Sequence, residues 1–230
     1  MEFEMRRPRA VLCLSGGMDS CVCATLAARE FDVYALHFSY GQRTEARELL
    51  AAASVANILG AKQFMHLEID LFHRIGGSAL TDLSIAVPDA PADEEFGVEV
   101  PVTYVPFRNA HFLSAAVSWA EVIGAETIFI GAVEQDSSGY PDCRPAYYDA
   151  FNELVRLGTK EGAIRVVTPL IHMRKSEIVQ LGVESGAPFH VSWSCYSSET
   201  EACGSCDSCV LRLRAFREAG LTDPIAYAGV

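Results

Sequence analysis

Leu14-Ser15-Gly16-Gly17-Met18-Asp19-Ser20 joins an apolar run, residues 10–14, to a helix-forming stretch, residues 20–29. The first reads as a short buried strand, the second as the helix after it. Glycines between them let the chain turn tightly and bring its backbone close to a ligand. Free N–H groups at a helix N-terminus point at an anion, and the helix dipole favours it. The hydroxyls of Ser15 and Ser20 add donors. No Lys follows the glycines, so this is not the G-x-x-x-x-G-K-[ST] phosphate loop. Asp19 would repel bare phosphate, so it points to a magnesium ion or to a helix cap. The plainer alternative is an ordinary turn with Asp19 or Ser20 as N-cap. If backbone approaches ligand at Gly16, Gly16→Val should block turnover and leave the fold intact.

Outward from this turn, apolar runs alternate with helical stretches. Strands are expected at 33–38, 63–67, 127–130 and 164–168, and helices at 43–59, 109–123, 147–157 and 175–181. This spacing implies an α/β fold, a parallel sheet with helices on both faces. Two parts are expected: a nucleotide-binding α/β domain over 1–190, and a C-terminal cysteine segment with a closing helix over 191–230. Residues 76–100 carry two early glycines, Pro88, Pro91 and the acidic Asp93, Glu94 and Glu95. So long a stretch without an element reads as a lid, a disordered segment or a mobile surface loop.

The 230 residues carry 30 acidic and 18 basic side chains, a formal net charge of −12. A protein gripping long nucleic acid usually carries a basic excess, so a nucleic-acid partner is not expected. No apolar run is long enough for a membrane span, and residues 1–9 lack the apolar core of a signal peptide. A cytoplasmic protein is expected.

Half of the eight cysteines fall in one segment, Cys195-x7-Cys203-x2-Cys206-x2-Cys209. Four thiols without histidine fit a closed structural zinc site better than a catalytic one. An iron–sulfur cluster is the rival. Cys13, Cys21 and Cys23 read as small core hydrophobes. Cys143, between Asp142 and Arg144, is either a nucleophile or a packing residue. The six histidines show no metal-ligand spacing; His111 alone, beside Arg108 and Asn109, is a candidate for a pocket. Arg212, Arg214 and Arg217 read as a solvated helix face.

The string Ser-Gly-Gly-x-Asp-Ser after the first strand resembles the signature of the PP-loop ATP pyrophosphatases, which have the adenine nucleotide alpha hydrolase-like fold. That resemblance implies ATP cleavage between the α and β phosphates. It assigns Leu14, Ser15, Gly16, Gly17, Met18, Asp19, Ser20, Cys21, Val22, Cys23 and Ala24 to ATP. Further strings are SYGQR (39–43), YVPFRN (104–109), FLSAAVSWAE (112–121), SGYPDCR (138–144), TPL (168–170) and WSCY (193–196), the last running into the cysteine cluster. Together they resemble the 7-cyano-7-deazaguanine synthase family from Leu12 to about Phe216. Phe107, where a smaller residue is expected, and residues 76–100 depart from that pattern.

The resemblance implies a substrate, 7-carboxy-7-deazaguanine, with ammonia and ATP, magnesium and zinc, and a homodimer. A carboxylate has no good leaving group until AMP is attached, and the amide formed from ammonia needs a second ATP to become a nitrile. With no glutaminase segment in the sequence, free ammonia is the expected donor. The guanine-like edge offers two adjacent N–H donors, which a carboxylate accepts side by side; Asp136 and Asp142 are the candidates. Tyr40 or Tyr140 would stack on the ring. Arg108 and Arg144 would hold the substrate carboxylate or phosphate oxygens through a planar fork, and Asn109 is a further candidate for substrate binding. Asp19, Arg108, Asp142 and Arg144 are the expected catalytic set. Two other readings compete: a tRNA-thiolating PP-loop enzyme, and a non-catalytic zinc-stabilised nucleotide-binding module.

Overall fold

The computed structural model describes residues 7–90, 99–134 and 139–229. Five strands form one parallel sheet: β1 (Arg9–Cys13), β2 (Asp32–Ser39), β3 (Gln63–Glu68), β4 (Thr127–Ile130) and β5 (Arg165–Val167). Their order is β3-β2-β1-β4-β5. The chain winds outward from β1 to β3, then returns to β1's other side and winds outward through β4 to β5. The order therefore reverses between β1 and β4, and a crevice opens there at the strands' C-terminal ends.

Strand periodicity divides the core. Val11 and Cys13 face one way, with Leu36, Ile128 and Val166. They meet Leu113 and Trp119 of α4 (Arg108–Ile123) and Phe151 and Val155 of α5 (Pro145–Gly158). Ala10, Leu12 and Leu14 face the other way. They meet α1 (Met18–Glu30), α2 (Glu45–Ile58) and α6 (Lys175–Ser185). Right-handed crossovers account for these sides, because the helices change face when the winding direction reverses. The fold class read from the sequence is the one observed.

Two elements depart from the expectation. A one-turn helix α3 (Leu71–Ile75) follows β3 and buries Phe72; five residues are too few for helical periodicity to register. On the closing helix α7 (Asp207–Glu218) Arg217 is exposed, as a solvated face requires, but Arg212 is not part of such a face. Arg212 is 1% exposed. Its guanidinium grips both carboxylate oxygens of Asp223 at 2.6 and 2.9 Å and reaches Ser192 Oγ at 2.8 Å. The C-terminal residues fold back over α7 and supply that carboxylate, a tertiary event beyond helical spacing.

Residues 76–90 are anchored. The Arg43 side chain donates to the carbonyls of Ala79 at 2.7 Å, Ile85 at 2.6 Å and Asp82 at 3.2 Å. Ser78, Ala79, Leu80 and Thr81 are buried. Ala90 N–H donates to Ser205 O at 2.8 Å, tying the segment's end to the cysteine region. Pro91 and the acidic group at 93–95 lie outside the described residues.

Candidate active site

The crevice at the strand ends holds a cavity of about 260 Å³. One end is the glycine turn. Here Gly16 N–H donates to Ser20 Oγ, Gly17 N–H to Ser15 Oγ and Met18 N–H to Ser194 Oγ, at 3.1, 3.2 and 3.4 Å. The hydroxyls of Ser15 and Ser20 thus knit the turn itself. Leu14, Ser15, Gly17, Met18, Asp19 and Ser20 line the cavity. Cys21, Val22, Cys23 and Ala24 do not. They sit in the core, at most 1% exposed, because α1 has turned into the protein after its first turn.

Gly16 also stands outside the cavity wall, although its φ of +88° requires glycine. A Cβ there would lie 2.8 Å from both Ala52 N and Glu48 O, so the glycine lets the turn pack on α2. The expectation that Gly16→Val would spare the fold is therefore corrected. Gly131 has a matching role: a Cβ would meet Asp19 and Ser20 backbone at 2.9 Å. The end of β4 and the first turn of α1 can touch only because it is absent.

Asp19 is not a cap, since α1 has Gly17 at its N-cap and no side-chain capping bond. Its Oδ2 pairs with Lys175 Nζ at 2.5 Å, and its buried Oδ1 has no hydrogen-bond partner. A buried carboxylate oxygen without a donor suits a cation, so Asp19 fits a magnesium ion arriving with nucleotide. Lys175 lines the cavity and was not anticipated from the sequence. It supplies from α6 the cation that the glycine turn lacks. Its only sequence signal was its position at the start of a predicted helix.

Aromatic rings gather at the other end. Arg108 NH1 donates to Tyr40 Oη at 2.7 Å, and its guanidinium lies 5.3 Å from that ring's centre. Tyr140 donates to Thr103 Oγ1 at 3.0 Å. Tyr40, Arg108, Asn109, Tyr140 and Tyr196 all line the cavity. Asp142 and Arg144 do not line it. Asp142 is 3% exposed; its Oδ2 accepts from Asn109 N–H, and its carbonyl from Asn109 Nδ2, both at 3.0 Å. It braces the N-terminus of α4, whose orphan N–H groups and dipole call for such a carboxylate. Arg144 is exposed at the start of α5. Asp136 lies outside the described residues. His111 turns away, its Nδ1 donating to Phe107 O at 3.1 Å. Phe107, with φ of 57°, is 59% exposed and off the cavity wall.

Three further groups face the cavity. His37 Nδ1–H donates to Leu14 O at 2.8 Å, and its buried Nε2 has no partner. Burial pushes its pKa down to about 4, so the ring is neutral near pH 7 and Nε2 is an acceptor. Cys143 lies 3.7 Å from Asn109 Nδ2, and burial pushes its thiol up to about 12, which makes it a poor nucleophile. Glu48, in the first turn of α2, is on the same wall. His37 and Glu48 lay in no motif whose chemistry could be read from spacing; Cys143, inside SGYPDCR, was already weighed as a nucleophile or a packing residue.

The four sulfurs of Cys195, Cys203, Cys206 and Cys209 lie within 4.8 Å of one another. Backbone N–H groups of Ser197 and Cys203 point at Cys195 Sγ, at 3.4 and 3.3 Å. Hydrogen bonds from Cys206 and Cys209 hold the Cys195 thiol far below its usual value. Four converging sulfurs, three of them buried, are the donor set of a closed tetrahedral metal site. The segment also touches the glycine turn, because Trp193 N–H donates to Gly16 O at 2.8 Å.

A doubly wound sheet, an anion-suited turn at its switch point and a four-cysteine segment braced against that turn define a class: an α/β protein with a switch-point crevice and an appendage whose cysteines could hold a metal ion. Residues 9–220 match the family model described as queuosine biosynthesis protein QueC. The 7-cyano-7-deazaguanine synthase of Acidobacterium capsulatum is 72% identical over 97% of this chain and 98% of its own. That of Koribacter versatilis is 65% identical over 96% and 93%, and that of Chlorobium phaeobacteroides 57% over 95% and 96%. The chain belongs to the QueC family and is an enzyme of that family.

Proposed function

We propose that this enzyme converts 7-carboxy-7-deazaguanine, ammonia and two ATP into 7-cyano-7-deazaguanine. One observation carries the reading: a single cavity runs from the glycine turn to the Arg108–tyrosine group. An anion-suited end and an aromatic end thereby share one space.

ATP sits with its pyrophosphate half at Ser15, Gly17 and Met18, facing Lys175. The substrate carboxylate attacks the α-phosphorus; the P–O bond to the β-phosphate breaks and pyrophosphate leaves. Lys175 stabilises the charge that develops on it. Ammonia displaces AMP from the acyl carbon and leaves an amide. The amide oxygen attacks the α-phosphorus of a second ATP and pyrophosphate leaves again; the C–O bond to AMP then breaks, and both N–H protons pass to solvent, which leaves the nitrile. Tyr40 and Tyr140 flank the ring, and Arg108 holds the carboxyl end through its planar fork. Asp19 would hold magnesium, which supplies charge neutralisation on the phosphates. The four cysteines would hold zinc as a structural ion. Family resemblance further supports a cytoplasmic homodimer.

Incubation with the acid, ammonium and Mg-ATP tests the reading. Mass analysis should find the nitrile, with AMP and pyrophosphate. The amide supplied alone should also give nitrile, with about half the ATP consumed per product, since each oxygen removed needs its own leaving group. Formation of ADP and phosphate instead would refute the assignment of the loop.

A further inference from the structure

Glu48 is a carboxylate that the sequence reading did not use. It lies in the first turn of α2, and its backbone carbonyl is among the atoms on which Gly16 packs. Its side chain lines the cavity. Asp19 is the other carboxylate on that wall among the described residues, and Asp19 already has Lys175. The two bonds to Glu48 come from neutral groups: Thr44 Oγ1 donates to Oε1 at 2.8 Å and Gln42 Nε2 to Oε2 at 3.2 Å. Each oxygen keeps a lone pair, since an ionised carboxylate has about four acceptor positions. Arg108, the cation whose charge acts on Glu48, gives an N–H to Tyr40 instead. An anion in such a place is costly unless a donor or cation completes it.

Position matters as much as charge. Glu48 stands between the glycine turn, against which α2 packs, and the Arg108–Tyr40 pair. In the proposed reaction that is the junction of nucleotide and substrate, where the acyl carbon must lie. The nitrogen donor reaches the same junction. In water near pH 7 ammonium, like the ammonium of a lysine, is almost wholly protonated and has no lone pair with which to attack.

We propose that Glu48 is the ammonia site of this enzyme: its carboxylate binds ammonium inside the cavity and takes the proton that ammonium must lose before attack. The proposal rests on the ammonia-dependent reading above. The N–H bond breaks and its proton goes to a Glu48 oxygen. The freed lone pair forms the C–N bond, and the C–O bond to AMP breaks, its electron pair leaving on the phosphate oxygen. The surplus proton of the new amide and the one on Glu48 pass to solvent. Burial raises the Glu48 carboxyl to about 7, opposed by the bonds from Thr44 and Gln42 and by Arg108, while Glu45 on the same helix adds to the rise. Tyr40, Tyr140 and Tyr196 are raised as well, by burial first of all, and stay neutral here. A base of this strength suits proton transfer near pH 7.

The test separates activation from amination. Exchange of labelled pyrophosphate into ATP, dependent on the acid and measured without ammonia, reports activation alone. If the wild-type enzyme fails it, the reading of the overall reaction fails, and not the assignment of Glu48. Glu48→Gln should keep exchange near the wild-type rate and lose kcat/KM for ammonium by on the order of 100-fold or more. Hydroxylamine, a free base near neutral pH, should restore product formation, read as hydroxamate. The ammonium profile of the wild type should rise through neutrality, and that of Glu48→Gln only where free ammonia itself appears. Glu48→Asp, which keeps the charge, serves if the Gln variant proves unstable; it should retain part of the ammonium rate and all of the exchange. Loss of exchange and hydroxamate in step with ammonium turnover in a folded variant would overturn the proposal, as would unchanged ammonium kinetics.

Discussion

Gly16 and Gly17 are neighbours with opposite duties. Gly16 has a left-handed backbone and backbone atoms of α2 at 2.8 Å from any Cβ. Gly17 has ordinary space, with Ser15 Oγ at 3.4 Å and Trp193 O at 3.7 Å, and lines the cavity. Gly16→Val should therefore lower the melting temperature, whereas Gly17→Ala should melt as the wild type does and bind ATP weakly; calorimetry beside nucleotide titration reads both. Equal loss of stability in the two would remove the distinction. Glu48 gives a second outcome at this scale. Its carboxyl is raised in the folded chain from 4.5 to about 7, so the folded state holds the proton more tightly than the unfolded state. Stability must then fall as pH rises from about 4.5 to about 7, where the unfolded chain releases a proton that the folded one keeps. Denaturant titrations across that window should show the decline in wild type and a flatter curve in Glu48→Gln.

At the scale of elements, α7 is held by one buried ion pair. Arg212 and Asp223 are 1% and 2% exposed in their side chains, and Tyr227 Oη donates to Asp223 Oδ2 at 2.7 Å. Breaking such a pair leaves an uncompensated buried charge, at a cost of about 3–5 kcal/mol. Asp223→Ala should lose about that much in urea unfolding, while replacing both partners by apolar residues of similar volume should lose far less. A loss equal in the single and double variants would show that the charge is not the cause. Arg43 has a comparable place. Its three carbonyl contacts hold residues 79–85, so Arg43→Ala should expose that segment to proteolysis while the sheet amides stay protected from hydrogen exchange.

Across the whole molecule, the cysteine segment and the glycine turn form one structure. Trp193 reaches Gly16, Ser194 receives Met18 N–H, and Arg212 touches Ser194 Oγ at 3.3 Å. The purified enzyme should carry about one zinc per chain, since four converging thiolates make a closed site. Chelation should raise hydrogen exchange at residues 193–210, and through Trp193 and Ser194 also at residues 15–18, with weakened ATP binding. Iron with visible absorption would refute zinc; an undisturbed glycine turn after metal loss would refute the coupling.

The sheet, its surrounding helices, the glycine turn and the four-cysteine centre were legible along the chain, because each is a local pattern. Strand and helix periodicity, turn chemistry and Cys spacing act over a few residues, and the sequence states them directly. The family resemblance likewise rested on short contiguous strings. Other features depended on groups far apart in the chain. Lys175 meets Asp19 across 156 positions, and Arg212 becomes a core residue only when Asp223 folds over it. Asp142, read as a substrate ligand, caps α4 because the loop after β4 lies against that helix's N-terminus. Glu48, within the helix expected at 43–59, carries no local signal of its own; the packing of α2 on Gly16 sets it in the cavity wall. Burial and charge partners belong to the tertiary fold, and they decide whether a polar side chain is solvated, structural or chemical.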